Sequence, residues 1–486
     1  MKLEIKITTL FLLLLLAGGC SAARVITGAK VVDSLPLVVP DVVGVTIPAI
    51  CAPLNFTIGA PGERFQVEFS VKGRVELIVE SATAEVSIPQ AQWHAMLGGA
   101  LGDSLVVRVL AHCSGEWRSY SPFSIYVSSV PMDRYLVYRL IDPGYAMWGK
   151  MGIYERDLSS FNERTLIDNS VTEGGCMNCH TFSNHSPRRM MLHLRNTYPG
   201  TVILNDGVAR KISLRQGEMC SEGIYPAWSN DGNFIAYSVN EILQAFPLSG
   251  DKAVEVFDRQ SDLVVYDVRR GEVITDTAIF GSQWRETFPE WSADGRWLYF
   301  SRAAAVDSCS KDGVVERSRY DVCRVAFDGR RGSFGAVEVV YRAGDAQKSA
   351  SFIKCSPDGR YLVFTLSDYG NFSIWHQESD LYLMDLVSGS VRAIDEVNSS
   401  CAESYHSFSS SGGWLVFSSR AIDGLYTRPY IVAFDASTGG FGKPFLLPAP
   451  NADYYQQEMC SYNIPQFVSD RVCSAELVRA ACAAVE

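Results

Sequence analysis

A chain of 486 residues, 47% apolar and 20% charged, is long enough for two or three buried cores and is not composed like a disordered protein. Its net charge of -11 argues against a nucleic-acid binder, which would present a basic face.

At the N-terminus, Lys2 and Lys6 precede the apolar run LFLLLLLAGG, and Cys20 follows Ala17, Gly18 and Gly19. A basic start, a short apolar stretch and small residues describe an export signal, too short for a transmembrane span. The stretch resembles the lipobox of bacterial lipoproteins, with Ala17 where a leucine is usual. That resemblance implies a signal peptide over 1–19, lipidation of Cys20 and a membrane anchor at the cell envelope, on the outer membrane or a periplasmic face. Residues 20–34 read as a tether. Thirteen cysteines suit an exported chain, and apart from Cys20, Cys176 and Cys179 ten remain, an even number. Cys51 with Cys113, and Cys309 with Cys323, are the first disulfide pairings to test.

Residues 35–129 alternate short apolar strands (FQVEFSV, VELIVE, SLVVRVLAH, SPFSIYVSS) with Gly, Pro and Ser, and AQWHAML is the one helical insert. The expectation is a small β-sandwich, Ig-like in architecture. GDSL at 102–105 has no partner histidine motif and reads as a turn entering a strand.

The rest repeats. YPAWSNDGNFIAYS begins at Tyr225, FPEWSADGRWLYFS at Phe288, FIKCSPDGRYLVFT at Phe352 and YHSFSSSGGWLVFS at Tyr405. Each is a strand, a Ser-x-Asp-Gly-like turn and a second strand, followed by another hairpin such as DLVVYDVRRGEVIT. Two hairpins make a four-stranded blade, and the period is that of an all-β propeller. Adding MGIYERDLSSFNERTLI and HTFSNHSPRRMMLHLR gives six blades rather than seven over residues 133–449. Trp228, Trp291, Trp297 and Trp414 recur at blade positions as core, and the irregular insert SDYGNFSIWHQESD, with Tyr369, Phe372, Trp375 and His376, is placed to line a propeller mouth. The tail, residues 450–486, is read as lying outside the blades, with a short helix clasped by Cys473 and Cys482.

Within the repeats stands Cys176-Met177-Asn178-Cys179-His180. C-x-x-C-H is the spacing that attaches a c-type haem: two thiols for thioethers and an adjacent imidazole for the iron. Composition alone predicts roughly 0.005 such strings by accident. The readings that compete are a disulfide, a zinc site with His180 and His185 or His193, and a blade residue, since His180-Thr181-Phe182-Ser183 aligns with His406-Ser407-Phe408-Ser409. On the haem reading, His180 is the proximal ligand and His193 or Met190 the candidate distal one, with Met191 and His185 also near in sequence. Arg188, Arg189 and Arg195 flank the hairpin and could meet propionates. The repeat alignment puts CMNC in a loop and HTFS at the opening of the innermost strand.

With the lipobox and the β domain, DRYLVYRLIDPGY, MGIYERDLSSF, CMNCHTF, PRRMMLHLR, YPAWS and SYNIP resemble bacterial TolB-like lipoproteins that carry a haem-attachment motif. The expected function is electron transfer or redox sensing through one covalent haem, with a protein redox or envelope partner. The alternative is a non-catalytic module that binds a glycan, a peptide or an envelope partner, with Cys176 and Cys179 as a structural disulfide. No sequence motif nominates a catalytic residue.

Overall fold

The computed structural model describes residues 24–142, 149–246, 254–305 and 317–485. The lipidation expected at Cys20 and the pairing expected for Cys309 lie outside them.

Alternation builds the N-terminal domain. In Ser104–Cys113, Leu105, Val107 and Val109 are buried while Val106 and Arg108 turn outward. This strand is central in a seven-stranded sheet, flanked by Glu116–Tyr120, Phe123–Ser128 and Arg64–Val71. Lys30–Val32, inside the stretch read as a tether, pairs in parallel with Arg118–Tyr120. A three-stranded sheet of Val38–Val39, Phe56–Ile58 and Glu85–Val86 shares its core. The helix falls where expected, over Gln90–Gly99, and Trp93 Nε1 donates to the Cys51 carbonyl at 2.9 Å. GDSL is a turn at Gly102 running into Ser104–Cys113.

The remainder is a propeller: among the described residues, six sheets of four or five strands follow one another. Their innermost strands are Ser461–Val468, Cys176–Phe182, Gly223–Trp228, Trp284–Trp291, Ser349–Cys355 and Glu403–Phe408. The Ser-x-Asp-Gly turns have one chemistry. Asp231 accepts from Ser229 Oγ at 2.6 Å and from Asn233 N, Ser229 Oγ accepts from Phe234 N, and Gly232 takes φ +70. The same set recurs at Ser292/Asp294 and Ser356/Asp358.

One correction concerns the tail. Ser461–Val468 is the innermost strand of the first propeller sheet, paired with Tyr135–Ile141, so the chain's end closes the ring onto its beginning. The helix Ser474–Ala481 packs Leu477, Ala480 and Ala481 into the core between the first two sheets. Cys473 and Cys482 cap its opposite ends and are both free thiols. At about 1.5 Å of rise per residue they stand too far apart for one disulfide. Cys51 and Cys113 are also unpaired. Cys51 is buried, and Cys113 Sγ lies 2.8 Å from the Pro61 carbonyl.

The N-terminal β domain is docked on the propeller. Trp414 Nε1 donates to the Val130 carbonyl at 3.2 Å and Asn55 Nδ2 to that of Pro450 at 2.8 Å. A single apolar core runs from Phe56 and Val107 to Trp414, Ile431 and Phe467.

Candidate functional site

Each innermost strand carries a bulge, and at each bulge one residue has positive φ: Cys179 (54), Tyr225 (48), Phe288 (52), Phe352 (51), Tyr405 (51) and Ile464 (52). Non-glycine residues avoid this region, so its recurrence on six sheets reflects a shared demand of the architecture. The demand is to fill the axis. Tyr225 and Phe288 have ring centroids 4.4 Å apart, Phe288 and Phe352 4.1 Å, and Phe352 and Tyr405 4.9 Å. These rings close the channel like an iris, and Cys179 takes the sixth place. The following residues, His180, Pro226, Pro289, Ile353, His406 and Pro465, form the next layer, around a cavity of about 60 Å³.

The repeat alignment of His180 with Pro226, Pro289 and Ile353 is therefore right, but its place in the strand is corrected. Cys176–Phe182 is all strand, and CMNC is its first half rather than a loop. Cys176 packs between the first and second sheets with Val137 and Met151. Cys179 faces the channel. Both are free, so the disulfide reading is not what the structure holds.

His180 is 1% exposed; its ring faces the Val137 and Ile464 backbone, but neither nitrogen makes a hydrogen bond of good geometry. Burial, with Arg139 nearby, holds its pKa down to about 3. Its counterpart His406 has Nε2 2.9 Å from the Val363 carbonyl. His193 does not stand beside Cys179: the bulge puts it opposite Asn178, with Nδ1 3.2 Å from Thr201 Oγ1. Met190 and Met191 are core residues in different clusters. His185 lies at the far end of the channel, with Nδ1 3.0 Å from the Phe467 carbonyl. Among the described residues no three His, Cys, Asp or Glu side chains gather as a metal site, so the zinc reading has no geometry behind it. A distal ligand from this hairpin would need His193 or Met190 to leave its packing.

The mouth where the innermost strands begin opens into a cavity of about 240 Å³. Arg139, Arg195 and Arg420 line it, from the first, second and sixth sheets, with Phe372 and Trp375 of the expected insert. Arg420 stacks on Trp375 at 3.9 Å. The insert is pinned by His376, whose Nε2 lies 3.1 Å from Glu255 on the long third-sheet hairpin. Arg188 and Arg189 are elsewhere, at the turn end of their hairpin, where Arg189 pairs with Asp206 at 3.1 Å. Of the three flanking arginines only Arg195 reaches the mouth. Sequence reasoning missed Arg139 and Arg420, which no local motif marks.

Against a c-type haem, the donor set fits in kind: two thiols on one strand, and an adjacent imidazole whose nitrogens make no well-aligned hydrogen bond. Burial pushes the Cys176 thiol up, and the nearby guanidiniums of Arg139 and Arg195 offset this only in part. Cys176 and Cys179 face different compartments, so the thiol of Cys176 is the less exposed half of the pair.

No family model matches the chain, and no curated protein matches it. Solved structures share little with it. Hydrazine synthase of Kuenenia stuttgartiensis is 16% identical over 55% of this chain and 65% of that one, with TM-score 0.32. Dipeptidyl peptidase 4 of Porphyromonas gingivalis is 12% identical over 63% and 46%, also at 0.32. A DUF4784 family protein of Bacteroides caccae is 10% identical over 77% and 97%, at 0.27. Likenesses this weak carry no functional argument.

Proposed function

We propose that this chain is an exported redox protein: an Ig-like sandwich followed by a six-bladed propeller, tethered to the cell envelope through lipidated Cys20, in which Cys176, Cys179 and His180 hold one covalent c-type haem. Such a haem supplies a one-electron couple. The chain's own contribution is to keep His180 neutral and buried, to exclude water with the aromatic iris, and to set positive charge at the mouth. The observation that carries the reading is His180, a fully buried imidazole held only by poorly aligned contacts to the Val137 and Ile464 backbone, next to a thiol in a place where four sister sheets carry an aromatic ring. Buried polar atoms with poorly aligned hydrogen bonds are costly, and an iron ligand removes that cost.

The test is haem staining of denatured full-length protein from a host competent in haem attachment, with Cys176→Ser/Cys179→Ser as control. Staining of the wild type alone supports the proposal, and its absence sinks it. A second reading, a propeller that binds a small ligand without redox chemistry, is favoured by the cationic mouth cavity. It predicts no stain.

A further inference from the structure

Arg139 and Arg420 are each 7% exposed, and the Nε atom of each is buried without a hydrogen-bond partner. Among the described residues neither has a carboxylate at ion-pair distance: Arg139 binds the side chains of Asn178 and Asn463, and Arg420 Nη1 donates to the Leu425 carbonyl at 2.7 Å. Burial draws the pKa of Arg420 down to about 10. Arg195, half-buried on the same wall, has no side-chain hydrogen bond or ion pair among the described residues. Among the described residues that line it, the cavity holds one carboxylate, Asp142, against these three guanidiniums, in a chain whose net charge is -11.

The other walls are apolar. Tyr225, Phe352 and Tyr405 form the floor, Phe372 and Trp375 one side, and Ile242, Val254 and Val256 of the third-sheet hairpin another. Desolvating a guanidinium without an anion is costly, and charge-assisted bonds to a carboxylate recover that cost with good directionality. An apolar box with a cationic pole selects a ligand of matching polarity.

We infer that the mouth cavity is a binding site for a carboxylate on a flat apolar body, with Arg139, Arg195 and Arg420 on the carboxylate and Phe372, Trp375 and the iris rings against the body. The carboxylates could be the propionates of a tethered haem or belong to a free aromatic acid. The site does not depend on thioether formation: staining reads the covalent haem, whereas charge-selective binding reads the site.

The experiment titrates full-length protein, produced with and without haem attachment, with mesoporphyrin IX, which lacks reactive vinyls, and with 2-naphthoate. The dimethyl ester and 2-naphthylmethanol are the uncharged controls. The haem-free protein should bind at least one acid about tenfold or more tighter than its uncharged counterpart, and Arg420→Gln or Arg139→Gln should remove that preference. Binding of 2-naphthoate that disappears in the haem-loaded protein assigns the pole to the propionates; binding that persists assigns it to a free acid. Arg195→Gln, at a half-buried position, repeats the test if a buried variant does not fold, as judged by near-UV circular dichroism. Equal binding of acids and uncharged controls, or acid binding untouched by the arginine variants, overturns the inference, as does failure of the haem-free protein to bind either acid.

Discussion

Cys179 and Tyr225 occupy the same place on adjacent propeller sheets: each sits at the bulge of its innermost strand with φ near +50° and faces the channel axis. Tyr225 passes the ring of contacts on to Phe288 and Phe352, while Cys179 leaves the iris with one small, reactive member. Cys179→Tyr should therefore fold, because Tyr225 and Tyr405 already tolerate this backbone, and should abolish covalent haem. Packing the larger ring into the closed channel should cost no more than about 1–3 kcal/mol relative to the haem-free wild type. Urea midpoints check it. By contrast Phe288→Ala should cost about 3–5 kcal/mol.

The ring is closed by Ser461–Val468, where Val468 pairs with Tyr135. A chain ending at residue 458 leaves Tyr135–Ile141 as an unpaired inner edge and uncovers Leu136 and Val137, both fully buried in the complete chain. It should lose cooperative unfolding and aggregate, whereas a chain ending at residue 472 should keep a cooperative transition at a lower midpoint. Size-exclusion chromatography and urea unfolding of the two truncations distinguish these outcomes.

Burial pushes Glu286 up to about 8, and Asp258 and Glu403 up to about 7. Arg302, 3.1 Å from Glu286, pulls the other way and only partly offsets this. Between their unfolded and folded pKa values, the folded chain keeps protons that the unfolded chain has lost, so stability falls as pH rises. His193 and His406, held down to about 3, act oppositely, and their contribution is lost as pH falls through 6.5. Above pH 6.5 the unfolded histidines lose their remaining protons and the acids dominate. The urea midpoint should decline from pH 6.5 to 8, and Glu286→Gln should flatten that decline. An unchanged slope in the variant would contradict the assignment.

Cys473 and Cys482, both exposed, should each take a thiol alkylating reagent in non-reduced native protein. Peptide mass spectrometry that finds them joined would overturn the helix geometry, since they cap opposite ends of Ser474–Ala481.

The repeats were legible because a hairpin is local: the Ser-x-Asp-Gly turn and the alternation around it lie within about 15 residues. Even the insert around Phe372 and Trp375 could be sent to a mouth from its place between two strands. The closing strand was not read, because a lone strand has no hairpin partner in sequence. A signal was nonetheless present, since Ile464-Pro465 in SYNIPQF matches Tyr225-Pro226 and Phe288-Pro289. The bulge that turns Cys179 to the axis, and separates it from His193, is invisible to an alignment that assumes regular pairing. Arg139, Arg195 and Arg420 meet only through closure of the ring, which no local pattern encodes.

Cys176, Cys179 and His180 are the residues on which the proposed redox function depends. The most direct measurement is the intact mass, under denaturing conditions, of full-length protein from a haem-attachment-competent host, read with its visible spectrum. A mass higher by one haem, with a reduced c-type spectrum and loss of both in Cys176→Ser/Cys179→Ser, is the predicted result. A mass equal to that of the polypeptide, with no visible absorbance in that host, would contradict it.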